Sequence, residues 1–443
     1  MRKAQYTELA ATVADRIQSG VLPPGTRLPT HRAFAEQHGV ALATATRAYK
    51  ELERRGLVAG EAGRGVFVRD QGLPLTLGLE QRASDGLIDM VFNMPGEAED
   101  ADMLRAALRR MAASGDLEAM LRYQPHGGRP HERRIIATHV CDRLGHVDPE
   151  RLLVTSGGQH GLALTVLGLL KRGDTVGTDP LTYAGFKTVA ALHGLNLAAV
   201  EGTTNGMHPD VLDRTCRQRK LSALYLMPTV QNPLGSVMDE ENRRRIVEVA
   251  RRHDLLIIED SAYAFLETNP PPSLTELAPE RTVHVGGFSK NIATGLRVGY
   301  LAAPPQHVDM LAHVIRATTW NAPALITGIV TSWIEDGTLA LSEQNRRRNG
   351  AMRQKLCRDI LEGHPIVSHG SADFAWLPLE ARRRTEPIIT HLTEAGIAVS
   401  PADPYAVTEA VPQAIRLAFG GLSLNDLETA LRIVRRELDT TRA

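Results

Sequence analysis

Hydrophobic positions recur at helical spacing in the first part of the chain. Leu9, Val13 and Ile17 are four residues apart, which predicts a first helix. Thr30 is a suitable N-cap for a second helix, and a third is predicted at about 42–55. The pattern then changes to a short strand at 57–59, a glycine-rich tip at 60–65 and a return strand at 66–68.

Three helices followed by a β-hairpin is the order of a winged helix-turn-helix, whose third helix enters the major groove of DNA. Residues 1–69 contain eleven basic and six acidic residues, a net charge of +5, whereas the whole chain of 443 residues balances 51 basic against 51 acidic residues. A basic surface suited to a phosphate backbone is therefore local to this segment. We predict that residues 1–69 form a DNA-binding domain.

The pattern after this segment predicts an α/β fold. Residues 70–88 lack a sustained apolar period and are predicted to be a linker. Short apolar runs then alternate with longer helical ones, which is typical of a mostly parallel sheet covered by helices on both faces. The predicted strands are 152–155, 175–178, 197–200, 223–227, 255–258, 283–285 and 298–302. We expect a large domain at about 140–323 and a smaller α+β domain at about 324–443, which includes a strand at 414–419.

From the composition we expect a cytoplasmic protein. Cys141, Cys216 and Cys357 are far apart and match no CxxC spacing, which favours a reducing compartment and argues against a zinc site. The N-terminal residues lack the apolar core of a signal peptide, and no apolar stretch approaches the roughly 20 residues that span a bilayer. We expect neither a metal site nor a membrane segment.

Residues that could bind a ligand follow several predicted strands. In sheets of this kind, ligands bind at the carboxyl ends of the strands. The first predicted strand runs into Ser156–Gly161, whose backbone N–H groups at a helix start suit a phosphate. Asn232, Asp260 and Lys290 follow later strands. Each feature alone is also compatible with a structural role: a tight turn, an Asn-Pro turn, a helix-capping aspartate or a surface lysine.

The order of these motifs resembles the fold-type I aminotransferases across most of residues 89–443. The order is a glycine-rich loop, Asn-Pro-x-Gly from Asn232, Asp-x-x-Tyr from Asp260, and Ser289-Lys290 with Arg297 seven residues after the lysine. The resemblance implies that pyridoxal 5′-phosphate is bound, with Lys290 as the Schiff-base lysine and Asp260 as the partner of the pyridine nitrogen. It assigns the other cofactor contacts to Gly158, Gln159, Tyr183, Asn232, Tyr263, Ser289 and Arg297.

The same resemblance implies two further residue roles, and the chain departs from the family pattern at one position. Arg416 would bind a carboxylate of the substrate or effector, a task suited to a guanidinium group. Tyr123 would reach the cofactor phosphate of a partner subunit, which implies a homodimer. The family often has serine three residues before the lysine, where this chain has Gly287. We expect one phosphate contact to be missing.

Residues 6–69 resemble the GntR-type winged helix, in a pattern that includes Leu28-Pro29-Thr30-His31-Arg32 and Leu52-Glu53-Arg54-Arg55-Gly56. The chain departs from the common pattern at Ala41, Leu42 and Thr46, where Ser, Arg and Arg often occur. Fewer cationic contacts predict a different operator. The residues expected to contact DNA are Thr30, Arg32, Thr44, Arg47 and, at the wing tip, Arg64.

Both segments in this order resemble the MocR/GabR family of bacterial transcription regulators. The resemblance implies a cytoplasmic homodimer that binds a double-stranded DNA operator and senses pyridoxal 5′-phosphate or a small amino compound. Two alternatives stay open: an active aminotransferase with an accessory DNA-binding domain, and a regulator whose second domain has lost its cofactor. The sequence does not reveal the effector, the operator or the direction of regulation.

Overall fold

The computed structural model describes residues 5–18, 21–22, 26–54, 57–61, 65–68, 86–94, 98–114, 117–380 and 383–440. The chain forms two compact units, Met1–Leu75 and Thr76–Ala443. The predicted division into 1–69, 70–88 and 89–443 stays a prediction. Its linker differs from the structure at one end, because a strand begins at Ile88.

The first unit has the helices and hairpin that the sequence predicts. Its elements are α1 (Gln5–Gln18), α2 (His31–His38), α3 (Leu42–Arg54), β1 (Val58–Glu61) and β2 (Gly65–Val68). The hairpin is antiparallel, with Val58 opposite Val68, and both strands extend further towards the tip than predicted. The side chain of Thr30 accepts from the backbone N–H of Ala33 at 3.2 Å, which confirms it as the N-cap of α2.

Apolar residues on one face of each helix form the core of the first unit. Ala45, Ala48, Tyr49 and Leu52 of α3 are buried at helical spacing. The Tyr49 hydroxyl donates to the carbonyl of Pro29 at 2.7 Å, which satisfies the one polar atom of that side chain. The opposite face of α3 therefore stays available to solvent.

The second unit is built around a seven-stranded sheet. Its strands are β4 (Leu152–Thr155), β5 (Thr175–Thr178), β6 (Asn196–Ala199), β9 (Ala223–Leu226), β10 (Leu256–Asp260), β11 (Thr282–Gly287) and β12 (Gly299–Ala302). A two-stranded hairpin, β7 (Gly202–Thr203) and β8 (Gly206–Met207), follows β6. The strand order is β4-β12-β11-β10-β9-β5-β6, and β12 is antiparallel to both of its neighbours.

Helices alternate with many of these strands along the chain, as the sequence predicts, and others precede the first strand or follow the last. They are α4 (Ala98–Ser114), α5 (Leu117–Met120), α6 (Pro130–Leu144), α7 (Gly158–Leu169), α8 (Ala184–His193), α9 (Pro209–Gln218), α10 (Glu240–Arg252), α11 (Leu274–Leu277), α12 (Pro305–Thr318) and α13 (Ala324–Glu335). Strands β4 and β9 are buried along their whole length, which is why they appear in the sequence as continuous apolar runs.

A four-stranded sheet forms the smaller C-terminal part. Its order is β13-β15-β14-β3, from β13 (Phe374–Pro378), β15 (Ala414–Ala418), β14 (Ile397–Pro401) and β3 (Ile88–Met90). The helices of this part are α14 (Thr338–Ile360), α15 (Thr385–Glu394) and α16 (Leu424–Thr440). The sequence did not predict that β3 pairs in parallel with β14, about 300 residues later. Within the described ranges, no helix is long and apolar enough to cross a membrane.

Candidate functional site

A cavity of about 720 Å³ opens at the carboxyl ends of the central strands. Strands β4, β10 and β11 all end at its edge, the position at which α/β sheets bind ligands. Ten residues that the sequence singled out line this one cavity: Gly158, Gln159, Tyr183, Asn232, Asp260, Tyr263, Ser289, Lys290, Arg297 and Arg416. Residues spread over more than 250 positions of sequence therefore meet at one site.

One end of the cavity is a cationic cradle. Helix α7 begins at Gly158 and presents its first backbone N–H groups there. The guanidinium of Arg297 donates to the Ser289 hydroxyl at 3.2 Å and lies so close to Gly157 that a Cβ there would be 2.7 Å from its Nη2. A Cβ on Gly287 would lie 3.3 Å from the Gly158 nitrogen. The predicted departure at Gly287 thus leaves the first amide of α7 facing a residue without a side chain.

Asp260 is the acidic group of the cavity. It is buried at the end of β10, and its Oδ2 accepts from the Tyr225 hydroxyl at 2.7 Å while its Oδ1 accepts from the Ala262 amide at 3.0 Å. Burial raises the pKa of Asp260, although both hydrogen bonds oppose this shift. A nearby protonated ring nitrogen would favour the carboxylate form.

Several buried polar atoms of the cavity lack a partner among the described residues. They include Oδ1 of Asn232, Oε1 of Gln159 and Oδ1 of Asn93. The Asn93 amide nitrogen contacts the Tyr263 hydroxyl at 3.3 Å. Buried polar groups are normally hydrogen-bonded, so these atoms indicate that a polar ligand belongs here. A cationic cradle, an acid and unpaired amides fit a phosphorylated pyridine.

Two cations of the site rest on one short segment of backbone. Lys290 Nζ donates to the Asn93 carbonyl at 2.6 Å, and Arg416 donates to the Val91 carbonyl at 3.3 Å. This segment, residues 91–94, directly follows β3. Both cations therefore have neutral partners that a ligand could replace.

One predicted site residue lies outside the cavity, and three residues of the site were not predicted. Tyr123 lies outside the cavity: it is 86% exposed, and its ring is 5.3 Å from that of Trp320. Its predicted contact with a partner subunit stays a prediction. Sequence reasoning missed Asn93, Tyr225 and Tyr405, which line the cavity or hold Asp260. No local sequence signal marks them, because each joins the site through contacts with other parts of the chain.

A second polar cluster lies behind the cavity, next to Asp260 in sequence. Glu259 accepts from the backbone amides of Leu274 and Thr275, from the Thr275 hydroxyl at 2.6 Å and from His284 at 3.3 Å. Burial alone would raise the pKa of Glu259, but the His284 and Thr275 hydrogen bonds and the charge of Arg243 lower it to about 2. These side chains find their polar partners within the protein itself, and we therefore call them the saturated network: Glu259, Thr275, His284, Ser261 and Arg243.

The candidate DNA-contacting residues lie on α2 and α3 of the first unit. Arg32 and Arg47 are exposed, as is Thr30, and Thr44 is half-buried. Thr30 caps α2, so its hydroxyl already has a structural role. Arg64 lies outside the described residues. The exposed face of α3, opposite the buried Ala45 and Ala48, carries Arg47. That this face enters a groove of DNA stays a prediction.

Comparison with known proteins identifies the family. Residues 91–434 match "Aminotransferase class I and II", and residues 5–68 match "Bacterial regulatory proteins, gntR family". The chain belongs to the aminotransferase class I and II family. Its N-terminal part is a GntR-type helix-turn-helix domain, so the arrangement expected of a MocR-type transcription regulator is confirmed.

Relatives and solved structures agree with this arrangement. The chain is 29% identical over 440 residues to the "Uncharacterized HTH-type transcriptional regulator YdeF" of Bacillus subtilis, covering 99% of this chain and 95% of that protein. It is 27% identical over 369 residues to the "HTH-type pyridoxine biosynthesis transcriptional regulator PdxR" of Corynebacterium glutamicum, with 81% and 79% covered. LysN, the alpha-aminoadipate aminotransferase of Thermus thermophilus, superposes with a TM-score of 0.73 at 24% identity, over 80% of this chain and 92% of LysN. The predicted fold is confirmed, and it is that of a PLP-dependent family.

Proposed function

We propose that this regulator binds pyridoxal 5′-phosphate in the cavity and uses it to sense a small amino compound, whose binding changes the affinity for a DNA operator. The observation that carries the proposal is the meeting of ten predicted residues around one cavity in a chain with a GntR-type domain. LysN, which shares the fold, is described in complex with N-(5′-phosphopyridoxyl)-L-leucine.

Each end of the cavity suits a different part of the cofactor. The start of α7, with Ser289 and Arg297, would bind the phosphate, and Asp260 would bind the pyridine nitrogen. Asn232 and Tyr263 would bind the phenolic oxygen, and Tyr183 would stack on the ring. When bound, pyridoxal 5′-phosphate supplies an aldehyde that reacts with primary amines, and Lys290 is the amine of this chain that reaches it.

The effector class is then a primary amine. Arg416 would bind its carboxylate where it has one, in place of the Val91 carbonyl. An effector shifts the equilibrium between DNA-binding states only as far as it binds one of them more tightly. A carboxylate on Arg416 and the loss of the Lys290–Asn93 contact both supply such a difference.

Three further properties belong to the proposal. The exposed arginines Arg32 and Arg47 would contact phosphates or base edges, together with Thr30, Thr44 and the predicted wing-tip residue Arg64. The protein would act in the cytoplasm as a homodimer, with Tyr123 reaching the partner's cofactor phosphate. The division into residues 1–69, 70–88 and 89–443 would separate DNA binding from sensing.

The second candidate function is an active aminotransferase that carries a DNA-binding domain. It is favoured by the nearly complete set of cavity residues and by the fold shared with LysN. Turnover of amino and keto acids by the purified protein distinguishes this function from sensing alone.

The proposal is tested in two stages, the first on the cofactor. Borohydride reduction and peptide mapping should find the pyridoxyl group on Lys290 in the wild type and no link in Lys290→Ala. Absence of the label from Lys290 would overturn the cofactor assignment.

The second stage concerns DNA and its coupling to the cavity. Replacing a phosphate-contacting arginine, Arg32 or Arg47, by alanine should lower the salt slope of DNA binding by about 1. Arg416→Ala should keep the Lys290 label but weaken the effect of a carboxylate-bearing effector on DNA affinity. A normal response in Arg416→Ala would contradict the coupling, and an unchanged slope in the Arg32→Ala, Arg47→Ala double variant would contradict the docking.

A further inference from the structure

Tyr405 is one of the residues that line the cavity, and nothing in the described part of the chain forms a hydrogen bond with its hydroxyl. The side chain is 0% exposed, and its Oη has no hydrogen-bond partner among those residues. Its backbone is fixed, since its carbonyl accepts from Thr182 at 2.9 Å and its amide donates to Ala402 at 3.0 Å. The ring packs edge-on against Trp376, with the two ring centroids 6.0 Å apart. The hydroxyl is therefore held in place without a partner.

The neighbour of Tyr405 is a cation that is also poorly satisfied. Arg416 is 2% exposed. Its guanidinium carbon is 5.7 Å from the centroid of the Tyr405 ring and 4.7 Å from the centroid of the Phe374 ring. Its Nε has no partner, and no carboxylate of the described ranges pairs with it. A buried cation without a counter-ion is costly. The two rings hold the guanidinium in one orientation while its charge stays uncompensated.

We infer that Tyr405 is a ligand-binding residue, and that its hydroxyl acts together with Arg416 to bind a carboxylate of the effector. A carboxylate has two oxygens with free lone pairs, enough to accept from both the tyrosine O–H and the arginine Nε–H. This inference rests on the proposed function and narrows its effector class to amino compounds with a carboxylate. Tyr405 is thereby assigned a role in specificity.

A purely structural role explains the hydroxyl less well. Phenylalanine would fill the same space between Trp376 and Arg416 without burying an unpaired polar atom. A contact with the cofactor phosphate is also disfavoured, because the phosphate cradle is built from the start of α7 and Arg297, whereas Tyr405 lies beside Arg416. The hydroxyl has a use only when a ligand oxygen reaches it.

The test compares two probes that differ by one carboxymethyl group. Pyridoxamine 5′-phosphate lacks a carboxylate, and N-(5′-phosphopyridoxyl)glycine carries one. Dissociation constants are measured by titration calorimetry on the full-length, cofactor-free protein. The wild type should bind the glycine probe more tightly. Tyr405→Phe should reduce this preference roughly tenfold, the effect of losing one hydrogen bond to a charged group, while its affinity for pyridoxamine 5′-phosphate changes less than about twofold.

Thermal unfolding supplies a readout that a structural role would not produce. Because the Tyr405 hydroxyl is unpaired, the cofactor-free Tyr405→Phe protein should unfold at the same or a higher temperature than the wild type. Tyr49→Phe is the matched control away from the cavity, since the buried Tyr49 hydroxyl donates to the Pro29 carbonyl at 2.7 Å. That control should lower the Tm of the first unit by roughly 4 °C and keep the preference for the glycine probe.

Each outcome has a distinct meaning. If the wild type binds neither probe, the proposed function fails and this inference fails with it. If pyridoxamine 5′-phosphate binds but the glycine probe has no advantage, or if Tyr405→Phe keeps the full advantage, only the inference is overturned. A probe with glycinamide in place of glycine tests the same point in the wild-type protein, where it should lose most of the advantage.

Discussion

Two buried arginines of the second unit differ in what surrounds them. Arg243 is 0% exposed and donates to the carbonyls of Met238, Pro271, Pro272 and Pro228 and to the Thr229 hydroxyl, at 2.8 to 3.1 Å. Arg416 is 2% exposed and makes one hydrogen bond, at 3.3 Å, while its Nε is unpaired. Burial is the same for both, so it does not distinguish them. What distinguishes them is whether the protein itself satisfies the charge.

The same contrast separates two neighbouring carboxylates. Residues alternate between the two faces of a strand, so Glu259 and Asp260 of β10 point in opposite directions. Glu259 belongs to the saturated network, whereas Asp260 faces the cavity with two partners. A saturated group stabilises the fold, and an unsaturated one is available to a ligand. This distinction supports the assignment of the cavity as the binding site.

The largest expected effect concerns the two arginines. Arg243→Met leaves several buried carbonyl oxygens without donors and should lower the free energy of unfolding by about 3–5 kcal/mol. Arg416→Met removes an uncompensated cation and should change that quantity by less than about 1 kcal/mol in the cofactor-free protein. Urea unfolding of both variants measures the difference. Equal losses would show that both arginines are structural.

A second prediction uses the pKa of Glu259. Its folded-state pKa of about 2 lies below the ordinary value of 4.5, so its contribution to stability is complete above pH 4.5 and is lost as the pH falls towards 2. Glu259→Gln should lower the free energy of unfolding by about 3 kcal/mol at pH 7 and flatten its dependence on pH between 4.5 and 2.

The control for Glu259 is an exposed carboxylate. Glu428 pairs with Arg432 on the surface of α16, and Glu428→Gln should cost less than about 0.5 kcal/mol. Unfolding midpoints measured across this pH range decide the matter. A Glu259→Gln protein with the pH dependence of the wild type would contradict the assignment of the shift to this group.

The sequence predicted local features better than distant pairings. The bounds of β4 and β5 agree with the prediction, because buried strands form continuous apolar runs between turn residues. The position of Lys290 just after a strand was likewise predictable from the chain itself. The pairing of β3 with β14 was not, because no local pattern encodes contact across about 300 residues. Tyr225, which is 35 residues before its partner Asp260, and Tyr405 were missed because their contacts are likewise not encoded in the neighbouring sequence.

Saturation in particular could not be predicted from sequence. The sequence around Arg243 and Arg416 does not distinguish these two arginines. Only the folded structure shows which of them has its hydrogen-bonding groups paired. The family resemblance singled out Arg416 but gave no account of Arg243. The structure adds the physical reason that the two differ.

Asp260 should respond in the opposite direction to Glu259. Burial raises its pKa, so its contribution to stability is present below the ordinary pKa and is lost as the pH rises. Asp260→Asn should therefore leave the cofactor-free protein at least as stable as the wild type at pH 7, since an amide can still accept from Ala262 and donate to the Tyr225 oxygen. The same variant should bind pyridoxal 5′-phosphate more weakly. A loss of stability as large as that of Glu259→Gln would show that Asp260 stabilises the fold, as Glu259 does.

The smallest expected effect concerns two serines, one in the saturated network and one in the cavity. Ser261 Oγ contacts His284 Nε2 at 2.7 Å and the Val285 carbonyl at 3.2 Å, so Ser261→Ala leaves a buried ring nitrogen without its partner and should cost about 1 kcal/mol. Ser289 contacts Arg297 at 3.2 Å in an exposed position, and Ser289→Ala should change stability by less than about 0.5 kcal/mol. Its effect should appear in the affinity for pyridoxal 5′-phosphate instead, because Ser289 lies in the cationic cradle that we propose as the phosphate site. Unfolding and cofactor titration on both variants test this. If Ser289→Ala loses stability but keeps cofactor affinity, the hydroxyl serves the fold, and saturation by protein partners would not separate structural from ligand-binding groups at this end of the cavity.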